Sequence, residues 1–297
     1  MSPVLTGVYA PIGTPFVNEE VAYDQLVSNV KKYAASKLSG YLAIGSNGEC
    51  VSLFEQEKTK VLEIIVANKA PRQKVLAGAN GESTRLTMEQ CKKVADLGAD
   101  YASILTPSYF KKQLKDEAMT RYYLDVADGS PIPIACYNAP GFTGMTISTG
   151  TLKAIATHDN IIGVKDTSPG MIGSYLRATD GLDFDVFSGT ANTLFPAMMM
   201  GATGGIVSLA NAFPNVCATL YECCLADDLE GARELHLVLG KLNSAVSGSY
   251  GVAGVKYATE LAGFNGGDPR LPLLPVGESD KASIKQAIEA IDLTPYI

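Results

Sequence analysis

The stretch "IIGVKDTS" (161–168) runs three apolar residues, interrupted only by Gly163, straight into Lys165. A lysine closing a strand-like apolar run sits where its ammonium is poorly solvated. Such burial lowers an amine's pKa from its ordinary value of about 10.4. An amine that is neutral part of the time attacks a carbonyl and forms a Schiff base. The iminium then draws electrons from the next carbon, so an adjacent carbon–carbon bond can be made or broken. The competing reading is a lysine that reaches solvent along its stem and pairs with Asp166. Tyr137 ends a second apolar run, "IPIACYN" (132–138). If the two runs are neighbouring parallel strands, its phenol lies beside the lysine and can shuttle protons during carbinolamine dehydration and bond cleavage. Otherwise it is a core tyrosine satisfied by a backbone carbonyl.

A third segment, "GSNGE" (45–49), offers glycines that let the backbone pass close to a ligand. Its N–H groups and the Ser46 hydroxyl suit a carboxylate. Asn-Gly also suits a hairpin turn, but the following "EQEKTKVLEIIVANK" has helical period, which makes this a strand-to-helix loop. Glu49 is expected to cap that loop or the helix after it. Tyr109 of "TPSYF" (106–110) closes another run and reads equally as packing or function. "GATGG" and "FNGGDP" read as turns and fit no P-loop.

The elements that must position these residues alternate along the chain. Apolar, β-branched runs occur at 7–13, 40–46, 74–80, 101–107, 132–138, 161–166, 184–189 and 204–210. Each precedes a segment of helical spacing, such as 24–38 and 55–69. Asp24 and Ser83 stand where N-caps would sit, and the glycine of "LGAD" (97–100) stands where a helix would stop. The runs are continuously apolar, as parallel strands covered on both faces require. Eight such units predict a (β/α)8 TIM barrel over 1–226, in preference to a doubly wound open sheet. Residues 227–297 are expected to add a helical extension, with 228–291 wholly helical and holding about three helices. In such a barrel, chemistry sits at the C-terminal strand ends, where Lys165, Tyr137 and "GSNGE" all fall.

With 46% hydrophobic and 19% charged residues, the chain is able to bury a large core. A formal net charge of −7 and scattered basic residues argue against nucleic acid or an anionic membrane surface as partner. No apolar stretch is long enough to span a bilayer, and no leader-like segment is seen, so the cytosol is the expected compartment. Six cysteines without a C-x-x-C pair read as reduced thiols, including Cys223–Cys224. The two histidines, His158 and His236, are far apart and have no helical partner, which nearly excludes a histidine-rich metal site; the chain is expected to work without metal or cofactor.

Taken together, "TPF" (14–16), "GSNGE", "TPSYF", "YNAPGFTG", "KDTS" and "RLPL" (270–273) occur in an order and spacing that resemble the dihydrodipicolinate synthase/N-acetylneuraminate lyase family of lysine-dependent barrels. The resemblance covers essentially the whole chain. It implies that Lys165 is the Schiff-base lysine and Tyr137 the proton-relay tyrosine. It implies that Ser46 and Asn47 hold the pyruvyl carboxylate, Ser46 also assisting proton transfer. Tyr109 matches a tyrosine that supports the relay, often across a subunit interface, and Thr167 and Gly189 match positions lining the pocket. It also implies a homotetramer built as a dimer of dimers. Two departures bear on activity. Phe142 stands where dihydrodipicolinate-forming members carry an arginine, and Thr190 and Ala191 stand where sialic acid lyases carry acids. The motifs look most like 4-hydroxy-2-oxoglutarate and 2-keto-3-deoxy sugar-acid aldolases, with Phe142, Thr143, Thr167 and Thr190 lining the far side of the pocket. The alternatives are a sugar-acid dehydratase, a condensing enzyme on the same scaffold and a non-catalytic 2-oxo-acid-binding barrel.

Overall fold

A computed structural model describes residues 5–293, so the ends of the expected barrel (1–4) and extension (294–297) lie outside the described residues. Every apolar run contains a strand: β1 (Gly7–Pro11), β2 (Gly40–Ala43), β3 (Lys74–Gly78), β4 (Tyr101–Leu105), β5 (Ile134–Asn138), β6 (Ile161–Asp166), β7 (Asp185–Ser188) and β8 (Gly204–Ile206). They pair in parallel in chain order, and β8 pairs back to β1, which closes the barrel and excludes the open sheet. Several strands stop short of their apolar runs. β2 ends at Ala43 because Ile44 turns to a φ of 52° and leaves the ladder.

Side chains alternate between two cores along each strand. Tyr9, Leu42, Leu76, Ala135, Phe187 and Ile206 pack together inside the barrel, with Tyr9 edge-on to Phe187 at 5.8 Å. Val8, Ala10, Val75, Cys136, Val164 and Val186 pack outward under the helices. The same alternation turns Tyr137 and Lys165 inward and Asn138 and Asp166 outward.

The spacing at 24–38 and 55–69 produces helices Tyr23–Ala34 and Glu55–Asn68. Ser83 caps helix Thr84–Asp96 by accepting the Leu86 N–H at 3.3 Å, and Gly98, at a φ of 88°, ends it. Asp24 is not a cap. That helix starts after Ala22, whose N–H donates to the Pro15 carbonyl at 2.9 Å beside a short hairpin (Phe16–Val17 with Glu20–Val21). Asp24 instead lies in the first turn, where its negative charge faces the positive end of the helix dipole and stabilises it.

Helix Pro214–Leu225 follows β8 and contains Cys223 and Cys224, and all six cysteines are free. Three helices then follow, Leu229–Asn243, Ser249–Leu261 and Glu278–Glu289, the first two joined by a π-helical turn, Ser244–Gly248. The expectation of a wholly helical 228–291 is corrected at 262–277, which has no helix. This segment is fastened by Arg270, whose five N–H donors are all engaged. They reach both carboxylate oxygens of Glu57 (2.7 and 2.8 Å), the Ser52 carbonyl (2.7 Å) and, twice, the Glu19 carbonyl. Its guanidinium also lies over the Phe16 ring at 4.4 Å. The extension is thereby tied to the loops after β1 and β2.

Candidate active site

β5 and β6 pair so that Tyr137 is level with Lys165, and β6 and β7 so that Lys165 is level with Phe187. Two aromatic residues therefore flank the lysine at its own height in the barrel. Its Nζ lies 4.2 Å from the centre of the Tyr137 ring, and the residue is 5% exposed. No carboxylate among the described residues offsets this burial, and loss of solvation brings the amine's pKa down to about 7. The pairing with Asp166 does not form. Asp166 faces the helices, where it accepts from Asn138 Nδ2 (2.7 Å), Ser168 N (3.0 Å) and Ser168 Oγ (2.9 Å).

The Tyr137 hydroxyl is within hydrogen-bonding reach of the Ser46 and Thr167 side chains. Burial pushes its pKa up to about 12, and those two hydroxyls pull the other way. Thr167 Oγ1 is itself fixed by donating to the Asn138 carbonyl at 3.1 Å. Gly189 is required beside it, because a Cβ there would come within 2.3 Å of Thr167 Cγ2 and 2.6 Å of the Asp166 carbonyl oxygen. Lys165, Tyr137, Ser46, Thr167 and Gly189 are thus brought to one place.

The loop after β2 is folded on itself. The N–H groups of Gly48 and Cys50 donate to the Gly45 carbonyl at 3.1 and 3.3 Å, and that of Glu49 to the Ser46 carbonyl at 3.1 Å. The N–H groups of Ser46 and Asn47 have no acceptor among the described residues. Two adjacent backbone donors next to the Ser46 hydroxyl are left free to donate to an anion. The Asn47 side chain is turned to the loop after β8, donating to Ser208 Oγ at 2.9 Å. Ser208 was not singled out in the sequence, although "GGIVSLAN" places it just past a strand end. Non-glycine residues in the left-handed region bracket this loop, Ile44 (φ 52°) and Glu49 (φ 53°).

Glu49 immediately precedes the short 3-10 turn Cys50–Ser52, but its side chain caps no helix. It is buried, with Oε1 2.5 Å from Lys256 Nζ and Oε2 accepting the Arg270 N–H at 2.9 Å. The cap role belongs to Glu57, which accepts the Phe54 N–H at 2.8 Å. Thr190 is the N-cap of helix Ala191–Met199, and its Oγ1 accepts from Asn192 N (3.4 Å) and Asn243 Nδ2 (3.3 Å). Phe142 projects from the short helix Pro140–Thr143 and is 67% exposed. Tyr109 is not brought to the lysine within the protomer. It is 80% exposed, lies edge-on to Phe110 at 4.9 Å, and its N–H donates to Glu82 at 2.9 Å.

A buried lysine with no carboxylate beside it, in the mouth of a closed (β/α)8 barrel and against a phenol, is an arrangement able to do amine–carbonyl chemistry. A family model described as the dihydrodipicolinate synthetase family matches residues 4–291, and the chain belongs to that family. It is 33% identical to a 4-hydroxy-tetrahydrodipicolinate synthase of Geobacter sulfurreducens, covering 97% of this chain and 99% of that protein. It is also 33% identical to a probable mitochondrial 4-hydroxy-2-oxoglutarate aldolase of Emericella nidulans, covering 98% of this chain and 96% of that one. A solved dihydrodipicolinate synthase from Acinetobacter baumannii, chloride-inhibited and complexed with pyruvate, superposes with a TM-score of 0.91 at 28% identity, covering 99% of this chain and 100% of the other. The scaffold is that of the aldolases and lyases of this family. Equal identity to proteins of two named activities means that overall similarity does not choose between them.

Proposed function

We infer that the chain is a Schiff-base aldolase that cleaves a 4-hydroxy-2-oxo acid, either 4-hydroxy-2-oxoglutarate or a 2-keto-3-deoxy sugar acid, to pyruvate and an aldehyde. The observation that carries this reading is the Lys165 amine, buried without a counter-charge and 4.2 Å from the Tyr137 ring. Lys165 Nζ adds to C2 while the Ser46 and Asn47 N–H groups and the Ser46 hydroxyl hold the carboxylate. Tyr137, in reach of Ser46 and Thr167, supplies the proton that lets water leave the carbinolamine. It then takes the C4-hydroxyl proton as the C3–C4 bond breaks. The aldehyde departs, and the enamine on Lys165 is protonated and hydrolysed to release pyruvate. The water lost on forming the imine is regained on hydrolysing it, so the net change is one 4-hydroxy-2-oxo acid to pyruvate plus an aldehyde, with no oxidation or reduction.

The cleavage reading is preferred to condensation because Phe142 offers no charge for a second carboxylate where dihydrodipicolinate-forming members carry an arginine. The same absence favours sugar-derived or apolar-tailed substrates over dicarboxylates. Part of the proposal is a homotetramer in the cytosol, in which a partner covers the exposed Tyr109 and Phe110. Among the described residues no helix is long and apolar enough to cross a membrane. Borohydride reduction with pyruvate is expected to inactivate the enzyme and add one pyruvate-derived group to the Lys165 peptide. A panel of 4-hydroxy-2-oxo acids, followed by pyruvate release coupled to lactate dehydrogenase, identifies the aldehyde half. An unmodified Lys165 peptide would end the Schiff-base reading. A product that keeps all its carbons would replace the aldolase by a dehydratase.

A further inference from the structure

The loop that carries the Ser46 and Asn47 N–H groups is not held by its own backbone alone. Glu49 closes it in a left-handed conformation (φ 53°, ψ 41°) that a side chain resists and that surrounding contacts must enforce. The contacts come from the other end of the chain. Lys256, on helix Ser249–Leu261, brings its Nζ to 2.5 Å from Glu49 Oε1 and also donates to the Asp268 carbonyl at 3.0 Å. Glu49 Oε2 accepts the Arg270 N–H at 2.9 Å. Both members are almost fully buried, with side chains 3% and 1% exposed, and the ammonium lies over the Phe16 ring at 4.4 Å. Thr14, two residues before that ring, donates to the Gly48 carbonyl at 2.8 Å, which pins the loop from the other side. A small cavity is lined by Gly13, Asn47 and Asn211 together with Lys256 and Thr259.

We propose that the Glu49–Lys256 pair is a positioning device that sets the Ser46 and Asn47 N–H groups for the substrate carboxylate, so that the C-terminal extension governs binding of the 2-oxo acid without touching it. The charges neutralise each other, so the pair adds little net field at the seat and acts through geometry. A displacement of about 1 Å at such a seat is enough to cost roughly a hundredfold in rate. The proposal rests on the reading of Lys165 as the imine-forming amine and of the loop as the carboxylate seat.

The test separates the seat from the amine. Pyruvate and acetone both form imines with Lys165, but only pyruvate carries a carboxylate. The Glu49→Gln/Lys256→Met double variant removes both charges together and leaves no unpaired ion buried. It is expected to raise the pyruvate concentration for half-maximal borohydride trapping by about tenfold or more, while acetone trapping stays within about twofold of the parent. Should the double variant not fold, Glu49→Asp, which draws the carboxylate back by one methylene, reads the same ratio. A severalfold loss confined to pyruvate supports the pair. Equal losses for both compounds make it a purely structural brace and overturn the proposal, as does unchanged pyruvate trapping. If the parent enzyme is trapped by neither compound, it is the imine reading itself that fails, and the pair's role falls with it.

Discussion

Lys165 and Lys256 are an unplanned control for each other. Both are nearly inaccessible, at 5% and 3% exposure. Both lie on an aromatic face, Tyr137 at 4.2 Å and Phe16 at 4.4 Å. In both, burial is the main force lowering the pKa. They differ in one partner. Lys256 has the Glu49 carboxylate at 2.5 Å, which favours its ammonium and offsets part of the burial, whereas Lys165 has only dipoles and rings around it. Burial makes a lysine costly to charge, and a nearby carboxylate then decides whether its ammonium is favoured, as for Lys256, or its neutral amine, as for Lys165.

The contrast is sharpest in turnover. Lys165→Met is expected to lower pyruvate release by about four orders of magnitude or more and to abolish the borohydride adduct, since a covalent mechanism has no substitute amine. Lys256→Met should leave an adduct on the Lys165 peptide, and mass spectrometry of trapped peptides checks both. An adduct on Lys256 in the parent would erase the distinction. Tyr137→Phe keeps the ring against Lys165 but removes the relay, with an expected loss of roughly 10²- to 10⁴-fold in kcat.

The Glu49–Lys256 pair should fail differently. Glu49→Ala leaves Lys256 buried without its carboxylate and is expected to cost roughly 3–5 kcal/mol of stability, measured by denaturant unfolding. Lys165→Met should do the opposite. With a folded pKa of about 7 against 10.5 for a free lysine, Lys165 binds fewer protons folded than unfolded between those values. Its burial therefore opposes folding fully below pH 7, and the penalty fades as pH rises toward 10.5. The variant should be more stable than the parent by a few kcal/mol at acid pH and should match it at high pH. The smallest effect is on trapping kinetics. The rate at saturating pyruvate should rise about tenfold per pH unit below 7 and level off above it, because the neutral amine is the attacking form. A midpoint near 10 would mean that Lys165 is solvated after all.

The barrel was legible because each strand is a continuous apolar run and each helix keeps its stripe. These are local signals, repeated eight times. Strand ends were less so. A run such as "GYLAIGS" stays apolar past the point where Ile44 leaves the ladder, so hydrophobicity alone overextends β2. Within the site, Lys165 and Tyr137 were readable from their places at strand ends, and the observed pairing sets them side by side. Asp24 misled because a hairpin, not a cap, starts its helix. The partners of Glu49, Glu57 and Asn47 lie 207, 213 and 161 residues away in the chain. No period or local motif carries such information. Tyr109 and Phe142 point outward in the single chain, and their surroundings depend on what faces them there.

The Arg270 anchorage has a consequence for how the protein is made. A ribosome releases the strand that bears Lys165 long before residue 270 emerges, so a growing chain already owns that lysine but lacks the fastening that holds the early loops. The residue that locks the first loops is translated long after them, and their finished geometry waits for it.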